Sequence, residues 1–150
     1  MRPDPETNNA FTYLLAEAAK RFDIQIILPA MISNHHHSAL HDPHGREVGF
    51  REHFHKMMAK SQNALRGRWE NMWATEEPSV VEVTTVEDLL EKLVYIATNP
   101  VKDGLVDKVH HWPGPNFVQA LISGKPMKAT RPKHFFREDG TMPEEIELEL

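Results

Sequence analysis

The chain is predicted to adopt an α+β fold, on three observations. Stretches of helical and strand periodicity alternate along it, two strand-like runs are separated by only a short turn, and 40% of its 150 residues are hydrophobic, enough for a packed core. Strands joined by a tight turn pair antiparallel, and amphipathic helices cover the face they bury.

The predicted order is helix, strand, strand, helix, strand, helix. Residues 1–7 are polar and marked by proline, and Asn8 or Asn9 is placed to cap a helix ending near Phe22, with Phe11, Leu14, Leu15, Ala18 and Phe22 on one face. Asp23 breaks it. Ile24, Ile26, Ile27 and Leu28 then read as a strand continuing to Ile32, with Pro29 weakening the pattern or marking a bulge. Ser33-Asn34 turns the chain, and residues 35–41 form the antiparallel partner, closed by Asp42-Pro43-His44-Gly45.

Residues 49–65 read as a helix, with Phe50, Phe54, Met57, more weakly Met58, Ser61 and Leu65 near one stripe, and Gly67 ends it. An aromatic connector follows, holding Trp69 and Trp73, and Pro78 precedes a third strand at 80–84. Thr85 caps the helix 86–99, with Asp88 completing a capping-box-like pair, and Asn99-Pro100 is expected to stop it. Trp112-Pro113-Gly114-Pro115 closes a domain over 1–115, and 116–150 reads as an extended C-terminal arm.

The absence of cysteine excludes disulfides, thiolate metal sites and a Cys nucleophile. No apolar run is long enough to cross a membrane and no signal pattern opens the chain, so a soluble, cytoplasmic protein is expected. The net charge of −5 argues against a nucleic-acid partner only at first sight. Glu144, Glu145, Glu147 and Glu149 carry much of it, whereas 125–137 holds Lys125, Lys128, Arg131, Lys133 and Arg137 without an acidic residue. That stretch is the candidate DNA-binding segment.

Asn34-His35-His36-His37 is the first feature with chemistry in it. Side chains alternate along a strand, so His35 and His37 project together about 6.6 Å apart while His36 points away. Two imidazoles on one face either converge on a metal ion or simply sit at a surface. On the helix 86–99, Leu89, Leu90, Leu93, Ile96 and Ala97 cluster on one side, and Tyr95 and Asn99 lie on the other, four residues apart. His53 and His55, two apart on a helix, face in different directions and make a poor joint metal site. Trp69 and Trp73 form either a lid on the core or a base-stacking platform.

These residues carry a resemblance. Met31-Ile32-Ser33-Asn34-His35-His36-His37 and Tyr95-Ile96-Ala97-Thr98-Asn99-Pro100-Val101-Lys102-Asp103-Gly104-Leu105-Val106 resemble the two signatures of the single-tyrosine HUH transposases, in particular the bacterial REP-associated tyrosine transposase-like proteins. Leu40-His41-Asp42-Pro43-His44-Gly45, the stretch 63–73, Trp112-Pro113-Gly114 and Ala129-Thr130-Arg131-Pro132 follow in the same order.

The resemblance implies a mobile-element enzyme acting on single-stranded or hairpin DNA, as a monomer or homodimer. Mg²⁺ or Mn²⁺ would be held by His35, His37 and Asn99, and Tyr95 would attack the scissile phosphate to leave a 5′-phosphotyrosine link and a free 3′-OH. His36 has no assigned role. Two alternatives stand beside this enzyme: a non-catalytic DNA-binding relic, and a small histidine-site metal hydrolase in which Tyr95 only orients water. The family core is ferredoxin-like, and this chain begins at its first helix. The resemblance therefore implies that a first strand, lying between the histidine strand and 80–84, is missing at the N-terminus, encoded upstream or lost by truncation.

Overall fold

Asp4 opens the first helix: its carboxylate accepts a hydrogen bond from the Thr7 N–H at 2.8 Å, and Pro5, with no N–H to leave unsatisfied, takes a first-turn position. In the computed structural model, which describes every residue except Asn116, this helix (α1) spans Pro5–Phe22 and ends at Asp23 in the left-handed conformation, φ 57°. Asn8 and Asn9 are thus not its caps. They lie inside the helix and reach across to later chain, Asn8 donating to the Pro113 carbonyl and Asn9 to the Thr130 carbonyl, each at 2.8 Å.

The second element pair is a hairpin. Strand β1 (Gln25–Met31) and strand β2 (His36–His41) are antiparallel, with Met31 opposite His36 and Gln25 opposite His41. The register shifts between Ile26 and Leu28, so the bulge lies at Ile27 and not at Pro29, which pairs with Ser38. Helix α2 (Glu47–Arg66) follows, burying Phe50, Phe54 and Met58 against α1, and Gly67 caps it at φ +61°.

The third predicted strand is not formed. Residues 80–84 make no ladder, and Val80 and Val81 are 60% and 66% exposed. β-branched residues favour a strand only where a neighbouring strand supplies hydrogen bonds and packing. Among the described residues, β1 and β2 pair only with each other.

Helix α3 (Val86–Lys102) starts as predicted, with the Thr85 hydroxyl accepting from the Asp88 N–H at 3.1 Å. It continues past Asn99-Pro100 for three more residues than expected. Pro100 gives up the bond its N–H would make to the Ile96 carbonyl, and the helix ends at Lys102, the chain closing through Asp103 N–H to Asn99 carbonyl (2.9 Å) and Leu105 N–H to Pro100 carbonyl (3.0 Å). A 3₁₀ turn at Val109–His111 leads to Trp112, whose indole N–H donates to the Met31 carbonyl at 2.8 Å and ties this segment to the end of β1.

The C-terminal stretch is not an extended arm. Helix α4 (Phe117–Ser123) is followed by strands β3 (Met127–Thr130) and β4 (Glu145–Leu148), an antiparallel pair packed on α1. Phe117, Ala129, Ile146 and Leu148 belong to the same buried cluster as Phe11, Leu14 and Leu28. The tyrosine hydroxyl of Tyr13 donates to the Pro143 carbonyl at 2.6 Å. Alternating Glu-Ile-Glu-Leu at 145–148 is a half-buried strand, apolar side inward, which its acidic character masked.

The fold is therefore α+β, with helix α1 covered by α2 and by two separate two-stranded antiparallel sheets. A single larger sheet of the ferredoxin-like kind is not formed among the described residues. No helix among them is long and apolar enough to cross a membrane.

Candidate active site

β2 and the residue before it sort three consecutive histidines onto two faces. The rings of His35 and His37 lie together, centroids 4.9 Å apart at 83°. His36 turns the other way, into a nest of Phe11, Phe54, His55 and Trp73. His35 stands just outside β2, held by the tight turn in which the Ile32 N–H donates to its carbonyl at 2.9 Å. Its Nδ1 hydrogen bonds with Asn34 Oδ1 at 2.7 Å, which leaves Nε2 as the nitrogen free to ligate.

Helix α3 lies over this strand and brings Tyr95 to it. The Tyr95 and His37 rings are 5.5 Å apart and nearly perpendicular, at 79°. Tyr95 is 41% exposed, so its hydroxyl face is reachable from solvent. One turn on, Asn99 is only 2% exposed, although helical phase placed it on the polar side. The sheet covers that side: Ile96, Asn99 and Pro100 form the buried edge of α3, while Val86, Leu90 and Val94, four residues apart on the other side, remain exposed. The helix is rotated from the orientation its hydrophobic face predicts, because its packing partner sits at the C-terminal half.

Two polar atoms at this junction are buried without a partner, His37 Nε2 and Asn99 Oδ1. Such atoms are uncommon, because each costs about 1–3 kcal/mol. Both are lone-pair donors in the set expected to hold a divalent cation, so the residues fit that group. Burial, then the neighbouring His35, lowers the His37 pKa against the opposing pull of Asp103; His37 is held neutral, the form that ligates. Among the described residues no three His, Cys, Asp or Glu side chains converge as a metal group. The candidate set here is two imidazoles and an amide oxygen.

The predicted DNA-binding residues have divided duties. Lys128 pairs with Glu147 at 3.2 Å across β3 and β4. Arg131 is an internal clamp, its guanidinium donating to the carbonyls of Met142 (2.9 Å), Glu138 (3.0 Å) and Gly140 (3.3 Å). Lys125, Lys133 and Arg137 are exposed. The basic stretch thus has partners that sequence order hid, because strand pairing brings Glu147 beside Lys128. The two tryptophans also part company: Trp69 is 96% exposed, whereas Trp73 stacks on His55 at 4.6 Å and donates to its carbonyl. His53 bonds Glu17 at 2.6 Å and His55 bonds His36 at 2.8 Å, so they serve separate contacts.

Two residues near the site were given no role by the sequence. Asn34 orients His35, as above. Lys102 holds its ammonium 4.5 Å from the centre of the Tyr95 ring. The signal was present: positions 95 and 102 are two turns apart on one face, but only if the helix runs through Pro100.

Neither a family model, nor a curated protein, nor a solved structure matches the chain.

Proposed function

We propose that this protein is a transposase-like endonuclease and strand transferase for single-stranded or hairpin DNA, with Tyr95 as nucleophile. The observation that carries the reading is the convergence of Tyr95 on His37, beside two buried, unpartnered ligand atoms, His37 Nε2 and Asn99 Oδ1.

His35, His37 and Asn99 would hold Mg²⁺ or Mn²⁺, which supplies charge neutralisation at the phosphate oxygens. The chain's own residues do the rest. Asn34 fixes the His35 tautomer, α3 presents the phenol, and the exposed side of Tyr95 admits the strand. Tyr95 Oη forms a bond to phosphorus and the bond from phosphorus to the 3′-oxygen breaks. The phenolic proton passes to solvent and the departing 3′-oxygen takes one up. Attack by a second 3′-OH reverses the exchange, so no energy source is consumed.

The test is a denaturing gel of the full chain with Mn²⁺ and a labelled hairpin library with randomised flanks. A covalent adduct lost in Tyr95→Phe is expected. Cleavage that survives Tyr95→Phe supports the hydrolase, and binding with neither adduct nor cleavage supports the relic.

A further inference from the structure

Helix α3 exposes Glu87, Asp88 and Glu91 together with Lys92 and Lys102, and the whole chain carries −5. A DNA strand reaching Tyr95 therefore meets an unfavourable field unless a cation stands at the point of contact. Lys102 stands there. Its ammonium lies over the Tyr95 ring at 4.5 Å, its side chain is exposed, and it makes no ion pair among the described residues. Asp103, its neighbour in sequence, influences His37 and does not pair with Lys102.

The placement follows from the fold. Seven residues make almost two whole turns, so 95 and 102 share a face about 10.5 Å apart along the axis, and helical side chains lean toward the N-terminus. The long Lys102 stem thus folds back onto the tyrosine, which the continuation of α3 through Pro100 makes possible. A cation resting on an exposed aromatic face is held weakly, by about 0.5–1 kcal/mol. It keeps its ammonium protons for a stronger acceptor.

We propose that Lys102 is a catalytic residue, the phosphate-binding cation of the site. The inference rests on the transferase reading and deepens it. In the free protein the ammonium is parked on Tyr95; when DNA binds it donates to a non-bridging oxygen of the scissile phosphate, beside the phenol that attacks. Charge that builds on the phosphoryl oxygens during attack is then met by a cation beside the attacking phenol. Lys102 neither gains nor loses a bond in the reaction.

The experiment pairs Lys102→Met and Lys102→Arg with a neutral methylphosphonate placed at the linkage that wild-type protein attacks, located by sequencing adducts from the hairpin library. Single-turnover adduct formation is measured at saturating Mn²⁺, and thermal melting checks folding. On the ordinary phosphodiester, Lys102→Met should slow the step roughly 100-fold, with Lys102→Arg recovering most of the loss. On the methylphosphonate, wild type and Lys102→Met should differ less than about threefold, since the charge Lys102 meets is gone. A merely structural lysine would lose the same factor on both linkages, and that result overturns the proposal. So does an unchanged rate in Lys102→Met on the phosphodiester, which leaves the tyrosine chemistry standing. No Tyr95-dependent adduct from wild type overturns both readings together.

Discussion

The rings of His37 and Tyr95 meet edge to face, 5.5 Å apart, although 57 residues separate them in sequence. One comes from a hairpin strand and the other from a helix that touches this strand with its C-terminal half only. The contact sets the phenol beside the histidine pair, while the N-terminal half of α3 stays uncovered.

Replacing Asn99 separates stability from metal affinity. Its Oδ1 is buried and unpaired, so Asn99→Leu removes an unsatisfied group from the metal-free protein. The variant should melt higher by roughly 2–4 °C, about 1 kcal/mol, while its Mn²⁺ affinity falls at least tenfold. Calorimetry in chelator and a Mn²⁺ titration read the two effects. A lower melting temperature would show that the oxygen has an internal partner in solution.

The double variant His35→Ala/His37→Ala should lose Mn²⁺ binding and adduct formation and keep its fold, since neither ring lies in the core cluster. Circular dichroism with metal titration tests this, and retained metal-dependent adduct would remove both histidines from the ligand set.

Acid should destabilise the protein through His36. Burial, followed by the charges of His55, His37 and His35, pushes its pKa down to about 3. An unfolded imidazole titrates near 6.5. Between those values the unfolded chain binds a proton that the folded chain refuses, so the stability held above about pH 6.5 declines as pH falls toward 3. His37, His55 and His134, also lowered, act with the same sign. In His36→Phe the loss between neutral pH and about pH 4.5 should be smaller by a few kcal/mol, at about 1.4 kcal/mol per pKa unit. Urea unfolding at both pH values measures it; equal losses in the two proteins would place the acid sensitivity elsewhere.

The basic stretch gives two opposite outcomes. Arg131→Ala frees three carbonyls from their clamp and should cost about 2–4 kcal/mol of stability with little change in how DNA affinity responds to salt. The triple change Lys125→Ala/Lys133→Ala/Arg137→Ala should leave melting unchanged. If these exposed cations touch phosphates, it lowers the slope of log affinity against log salt by up to about 2. An unaltered slope makes them ordinary surface charge.

Much of this was legible in the sequence because it depended on local periodicity. The pairing of 25–31 with 36–41 follows from two short apolar runs and a tight turn, and the shared face of His35 and His37 follows from alternation. What depended on distant chain was not. Asn99 was assigned to the polar side by helical phase, yet burial is decided by which side the sheet covers. The stretch after Pro115 seemed tail-like because its charges are segregated in sequence, and β3–β4 pairing sets Lys128 against Glu147. A strand was expected at 80–84 from valine content alone, with no means of knowing whether an edge would lie beside it.

Those unpaired valines also govern how the protein behaves as a colloid. Val80, Val81 and Val83 expose apolar surface along backbone with no ladder of its own, a combination that seeds self-association. Two built-in brakes accompany it: Pro78 just before the stretch, which has no N–H to offer, and Glu82 inside it, which puts a charge between valines. The second brake depends on mutual repulsion, and the whole chain approaches zero net charge near its pI of 6.0. Concentrated samples should therefore cloud first at mildly acidic pH, where the charge that keeps copies apart has vanished and the exposed valines have not.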